Sequence, residues 1–386
     1  MSSVLIVCRG NWDTCTEIPY ILKKGGYSRV DIYCSDQSWL ICNKFYDTWY
    51  KSETSDQKFI EGLRGVLNQH PYDWVILGDE IALNLFNHEI KTDSEFLKIM
   101  PLTKPEHRWV LSSKIGLSRF CKKNNIPCPG YQVYGKESDC EKIKNDLRFP
   151  VVIKADFGWG GDGMFISETY DTFVRAIHKL PVHKHVLVQE YIEGTEFPVE
   201  ALFSNGKLLM YQTSSIRKFS GHRFSFTTQR DYFPCPDLKD YLEDLGEKLG
   251  LNGFTSIGYM FDPRDGTYNL IEVDMRPNSW TAMGRFLSPD LLDAIRYLSE
   301  KNPAVPFQQK GMKNKTKHLA LFYKDFRRAY WEKDWKTVVW WIFDVKGFWR
   351  YIPFYDSKLL RKVTFSIFNE IFLAYKAKYF PRKTKP

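Results

Sequence analysis

The stretch from Ser256 to Pro277 constrains this chain more than any other. Ser256–Asp262 and Tyr268–Pro277 read as two strands of a hairpin, reversing at Pro263-Arg264-Asp265-Gly266, where the Asp-Gly pair favours a tight turn. Side chains two apart on a strand share a face and sit roughly 6.5 Å apart. Glu272, Asp274 and Arg276 therefore project together, while Ile271, Val273 and Met275 face the other way. Two carboxylates and a guanidinium on one face call for a counterpart. A divalent cation held by hard carboxylate ligands, with Arg276 on a phosphate or a developing oxyanion, satisfies them. A solvent-facing strand edge is the other reading of the same residues.

With 386 residues the chain is long enough for two or three domains with real cores. Its 43% apolar and 26% charged content is that of a folded soluble protein. Met1-Ser-Ser followed by Val4–Val7 reads as a short strand and not as a signal peptide, and no run is long enough to span a membrane. The eight cysteines form no CxxC pair and no metal-type spacing, so they read as scattered reduced thiols of a cytoplasmic protein. The net charge of +9 owes much to the segment from Lys358 to Lys385. It is compatible with an acidic partner, a membrane surface or a nucleotide. No zinc-finger or RRM pattern is present, which disfavours nucleic acid.

The first hundred residues alternate strands and helices. Val4–Val7, Arg29–Cys34 and Trp74–Leu77 are strands, and a helix covers about Glu17–Lys24, implying a parallel sheet with crossover helices. The first strand-to-helix loop lacks GxGxxG. Gly78-Asp79-Glu80, at the end of a strand, is either a substrate contact or a simple turn. A helix follows over Ser112–Asn124, then Ile126-Pro-Cys-Pro129, then the strand Val151–Ala155 carrying Lys154. Gly158, Gly160, Gly161 and Gly163 make the next loop one whose backbone N–H groups can approach phosphates closely, and the absence of GxxxxGK[ST] argues against a P-loop. Val186–Ile192 is a strand. A second hairpin turns at Ser204-Asn205-Gly206-Lys207, and Asp237–Leu249 is an amphipathic helix stopped by Gly250. Between them Arg217, Lys218, His222 and Arg223 occupy a polar loop that either closes over phosphates or is merely solvated. His183-Lys-His185 reads as a surface turn and not as a metal pair.

The order of these parts is more specific than any one of them. Ser113-Lys114, Phe149–Lys154, the glycine loop, Val188–Glu196, a hairpin and Ile271–Pro277 in succession resemble the ATP-grasp superfamily. The likeness is to its carboxylate–amine ligases of the D-alanine–D-alanine ligase, biotin carboxylase and carnosine synthase type, over about residues 105–300. The resemblance implies an α/β ATP-grasp fold in four parts. Residues 1–105 would be a Rossmann-like preceding domain, 106–190 the smaller ATP-lid subdomain, 191–310 the larger subdomain with the metal site, and 311–386 a helical, aromatic-rich extension. It further implies that Lys114 and Lys154 grip ATP phosphates, with Lys154 near the adenine, and that the glycine loop covers them. Gln189, Glu190, Tyr191 and Ile192 would form the hinge that reads adenine, and Glu196 would hold the ribose. Arg217 or Lys218 would approach the γ-phosphate, Glu272 and Asp274 would hold Mg²⁺, and Arg276 would stabilise the acyl phosphate or tetrahedral intermediate. Two departures stand out: Asp274 replaces the family's usual Asn, and the residue opposite Glu272, Gly258 or Tyr259, is not acidic. A second Mg²⁺ therefore lacks its usual ligand, which leaves room for a degenerate enzyme.

The implied reaction activates a carboxylate as an acyl phosphate and joins it to an amine, releasing ADP and phosphate. A thiol, hydroxyl or sugar amine is the alternative acceptor, and a nucleotide-binding scaffold the alternative to an enzyme. The substrate carboxylate would meet Arg276 or Arg285, near Asn278, with Arg285 otherwise a surface charge. In the last segment Trp331, Trp335, Trp340, Trp341 and Trp349 crowd together, and Lys358–Phe380 reads as a basic amphipathic helix. It is read as a cover on the catalytic domain or a homodimer contact, with peripheral contact to an anionic membrane as the competing reading.

Overall fold

The computed structural model describes residues 2–135, 140–158, 161, 163–180, 185–300, 305–312 and 315–379. The first part contains β1 (Ser3–Val7), α1 (Ile18–Lys24), β2 (Arg29–Cys34), β3 (Trp49–Lys51), α2 (Asp56–Gln69), β4 (Trp74–Leu77), α3 (Glu80–Glu89) and α4 (Asp93–Ile99). Its four strands form a parallel sheet in the order β3-β2-β1-β4. The sheet is covered on both faces, which is why Val4–Val7 is an unbroken apolar run without alternation. The strand expected third in sequence is the fourth, because β3 is too short to signal itself.

The second part holds α5 (Lys114–Lys123), β5 (Tyr131–Gly135), α6 (Cys140–Ile143), β6 (Val151–Ala155), β7 (Met164–Ser167), α7 (Tyr170–Lys179) and β8 (His185–Glu190). Its antiparallel sheet runs β5-β8-β6-β7. Gly160 and His183, both singled out from the sequence, lie outside the described residues.

The third part adds β9 (Thr195–Ser204), β10 (Lys207–Phe219), β11 (Thr227–Phe233), α8 (Leu238–Leu249), β12 (Gly253–Asp262), β13 (Thr267–Asp274), α9 (Asp290–Ser299), β14 (Lys317–Ala320), α10 (Phe322–Trp331), α11 (Trp335–Phe343) and α12 (Ser357–Tyr379). Six strands form one sheet, β13-β12-β9-β10-β11-β14. The hairpin of β12 and β13 is in the expected register, with Gly258 opposite Glu272 and Ser256 opposite Asp274. The C-terminal segment is stitched on by β14, which pairs with β11, and by Asp325. The buried Asp325 carboxylate accepts four hydrogen bonds, from Thr228, Gln229, Arg328 and Trp341, at 2.8–3.0 Å. Those donors replace the water that a buried charge would otherwise lose. The same segment reaches the first part, where Asp356 accepts from the Lys44 amide at 2.8 Å and caps α12.

Among the described residues no helix is long and apolar enough to cross a membrane. The outer faces of the last helices are nevertheless apolar. On α11 Trp335, Val339, Ile342 and Phe343 are exposed, at helical spacing, and on α12 Phe365, Phe368 and Phe372 are each more than 60% exposed.

Candidate active site

A cavity of about 660 Å³ opens between the two antiparallel sheets. Lys114, Lys154, Glu196, Glu272, Asp274, Arg276 and Asn278 all line it, as do Gln189, Glu190, Tyr191 and Ile192. Lys114 is the first residue of α5. That helix start is fixed by its cap, Ser113, whose hydroxyl accepts from the Gly116 amide and donates to Asp156 at 2.8 Å. Lys114 Nζ in turn donates to the carbonyl of Gly158, at the mouth of the glycine loop, at 2.9 Å.

Lys154 is buried on β6, and its Nζ lies 3.5 Å from the Ile271 carbonyl, long for a hydrogen bond. Burial lowers its pKa to about 8, with Lys114 pushing the same way and Glu272 and Glu196 opposing. Glu272 lines the cavity and is exposed to the water that fills it. Burial and the nearby Asp274 carboxylate raise its pKa to about 7, opposed by Lys114 and Lys154. Lys154 and Glu272 thus each sit in the field of the other and of Lys114 and Glu196. Glu196 is raised above the usual carboxylate range by burial, against the pull of Arg230, Lys154 and Arg223.

A carboxyl raised by a neighbouring carboxylate, as Glu272 is by Asp274, is what a hard cation relieves. Mg²⁺ needs one or two carboxylates and fills its remaining positions with water and phosphate oxygens, so Glu272 and Asp274 fit it. Among the described residues no group of three or more His, Cys, Asp and Glu is placed to hold a metal. The reason lies in the register. Gly258 stands opposite Glu272, where a third acid would have to be.

Sequence reasoning missed Glu200. It lies on β9 beside Ser256, which itself pairs with Asp274, so the three share a face. Its Oε1 accepts from Arg230, Ser256 and Asn278 at 3.0–3.3 Å, and its buried Oε2 has no hydrogen-bond partner. Glu200 does not line the cavity. It positions Arg230 and Asn278, which do. Asn278 is also a turn residue, its Oδ1 accepting from the Trp280 and Thr281 amides.

Arg276 is buried between two acids: Nη2 donates to Asp274 at 3.2 Å and Nε to Glu80 at 3.0 Å. Glu80 opens α3, and Asp79 before it caps that helix while accepting from the Arg9 and Gly10 amides. The Gly78-Asp79-Glu80 turn is therefore a bracket that holds both the Arg9–Gly10 loop and the cavity's arginine.

Three expectations are corrected by the geometry. Arg217 and Lys218 lie on β10 rather than in a loop and do not line the cavity. Ile216 faces it, so Arg217 turns away to Asp231 at 2.9 Å, and a bulge after Ile216 carries Lys218 outward, 3.9 Å from Asp334. Of the basic residues from β10 through β11, those that line the cavity are Arg223, bonded to the Tyr191 hydroxyl at 3.1 Å, and Arg230. Arg230 belongs to β11, a strand the sequence reading passed over. Arg285 is likewise elsewhere, paired with Glu17 at 2.7 Å and enclosed by the rings of Tyr20, Phe286 and Tyr355. It joins α1 to the C-terminal segment.

Gly161 meets the loop after β10 at the cavity's lining. A Cβ on Gly161, which has φ of +84°, would stand 2.0 Å from the Phe224 carbonyl oxygen, so only glycine permits this approach.

Residues 111–279 match the family model described as ATP-grasp domain. The chain is 27% identical over 213 residues to a carbamoyl-phosphate synthase of Methanobrevibacter smithii, covering 48% of this chain and 56% of that protein. The chain thus spans about half the length of that curated relative. Among solved structures it resembles an L-amino acid ligase from Bacillus licheniformis, with a TM-score of 0.62, 15% identity and coverage of 83% and 80%. It also resembles the biotin carboxylase domain dimer of a Hydrogenobacter thermophilus 2-oxoglutarate carboxylase, solved with MgADP, ADP and bicarbonate, with a TM-score of 0.59, 15% identity and coverage of 82% and 74%. The sheets and the order of motifs agree with the matched region: residues 111–279 are similar to an ATP-grasp domain, and the fold of the chain is that of these neighbours.

Proposed function

We propose that the chain is an ATP-dependent ligase that activates a carboxylate and joins it to an amine. The observation that carries this reading is the convergence of Lys114, Lys154, Glu272, Asp274 and Arg276 on one cavity. Lys114 and Lys154 hold the polyphosphate, residues 189–192 hold the adenine and Glu196 the ribose. Arg223 and Arg230 take the role first expected of Arg217 and Lys218. Glu272 and Asp274 would hold Mg²⁺, which when bound neutralises charge on the terminal phosphates.

The chain's own residues then act by position and charge. A substrate carboxylate oxygen attacks the γ-phosphorus, the bond to the β-phosphate oxygen breaks, and ADP leaves. The amine nitrogen attacks the acyl carbon, the C–N bond forms, and phosphate departs with the C–O electron pair while the nitrogen loses a proton. Arg276 faces the developing oxyanion, and its clamp between Asp274 and Glu80 fixes its plane. The glycine loop and the loop bearing Phe224 exclude water from the acyl phosphate. Phosphate release from ATP and Mg²⁺ with a panel of amino acids tests the reading. Release that requires both a carboxylate and an amine supports it, and equal release without either removes it.

The exposed aromatics of α11 and α12 support a peripheral contact with an anionic bilayer. Arg361 shares the outer stripe of α12 with Phe365, Phe368 and Phe372, and a basic side chain beside aromatic ones on one face matches a negative interface.

A further inference from the structure

The cavity extends well beyond the residues of the matched domain. Its far end is walled by Asp13 and Trp39 from the first part and by Tyr323, Lys324, Arg327 and Glu370 from α10 and α12. All six lie outside residues 111–279, the part matched to an ATP-grasp domain. The wall begins where the proposed chemistry ends: Lys324 Nζ donates to the hydroxyl of Ser279, three residues past Arg276, at 2.9 Å, and pairs with Asp13 at 3.0 Å.

Three properties define what the end can take. First, Trp39 and Tyr323 stack with centroids 5.7 Å apart and planes 14° apart, giving a rigid aromatic wall. Second, each carboxylate there has its own cation, Asp13 with Lys324 and Glu370 with Arg327. The end is close to neutral, and a simple anion or cation gains little from it. Third, Arg327 pairs with Glu370 through Nε at 2.6 Å while 31% of its side chain stays accessible, so the outer part of its guanidinium can donate to an oxygen in the cavity.

We propose that this end is the acceptor subsite, and that it takes a primary amine carried on a ring with an apolar face and an oxygen substituent. The ring lies against Tyr323, the ammonium shares Asp13 with Lys324, and the ring oxygen accepts from Arg327. The assignment rests on the ligase reading of the same cavity and adds the acceptor's class to it. An amino sugar and a hydroxylated aromatic amine share this chemistry.

Saturation-transfer NMR on the full chain with MgADP present, using D-glucosamine, tyramine and L-alanine as probes, tests the proposal. At least one ring amine should receive saturation and L-alanine should not. Signal from glucosamine alone identifies a saccharide acceptor, and from tyramine alone an aromatic one. Tyr323→Ala should weaken the bound ring amine at least tenfold. Ser366→Trp, which fills the same end without removing a partner, should abolish it. A parallel MgADP titration shows that each variant is folded. Saturation of no ring amine, equal saturation of L-alanine, or binding indifferent to Ser366→Trp overturns the proposal while leaving the ligase reading intact. Failure of the unaltered chain to bind MgADP overturns the ligase reading itself.

Discussion

The hinge end of the cavity is assembled from segments close together in sequence, residues 114, 152, 154, 161, 164, 166, 189–192 and 196, most of them within one sheet. The far end draws on residues 11–14, 39, 323–327 and 366–370, brought together only by the packing of the two chain ends on each other. Short-range geometry fixes the first: a capped helix start, a buried lysine on a strand and a glycine loop. Long-range contacts fix the second, through Lys324 to Asp13, Lys358 to Tyr46 and Asp356 to Lys44.

The contrast can be broken most forcefully at Arg276, which belongs to both halves. Arg276→Ala leaves Glu80 buried and unpaired and should cost about 3–5 kcal/mol of stability, read as a shift in the urea midpoint. A stability unchanged by that substitution would mean that the bracket from Glu80 carries no weight. Glu272→Gln keeps the shape of the hinge end and removes half of the cation site. Phosphate release should fall about 10²–10³-fold, with ring-amine binding at the far end retained in the NMR assay.

Acidity sharpens the comparison further. The Glu272 carboxyl, raised to about 7, must lose its proton to hold a cation. Below that value the proton competes with the metal, so MgADP affinity should climb about tenfold per pH unit from pH 5 to 7 and then level off. Calorimetry at four pH values would show it, and a flat profile would exclude Glu272 as a ligand. The smallest effect belongs to Arg217. Half exposed and turned to Asp231, it is outside both ends, and Arg217→Ala should change turnover by less than about twofold. Finally, Phe365→Ser with Phe368→Ser should reduce pelleting with anionic vesicles and leave MgADP binding untouched. Equal pelleting would dismiss the membrane contact.

Much of the hinge end was legible because its signals are local. Lys154 stands out as the one charge in an apolar strand, and the Asp-Gly turn sets the register that puts Glu272 opposite Gly258. The basic residues were harder. Arg217 and Arg230 look alike in sequence, and only the bulge in β10 and the pairing of β11 decide which one reaches the cavity. Glu200 gave no sign of its role, since its partners Arg230, Ser256 and Asn278 come from three other segments. The far end was illegible for the same reason. Tyr323 and Asp13 are ordinary residues until the chain ends meet.

The strand Lys317–Ala320 closes the border of the six-stranded sheet, and Leu319 and Ala320 seal Tyr232 and Trp280 beneath it. Cutting the chain ahead of it would bare a row of unsatisfied amides and carbonyls together with a greasy floor, an open invitation to self-association. The final seventy residues therefore cannot be swapped as a cassette to alter specificity. Any redesign of the far end has to be made residue by residue, with that border strand left in place.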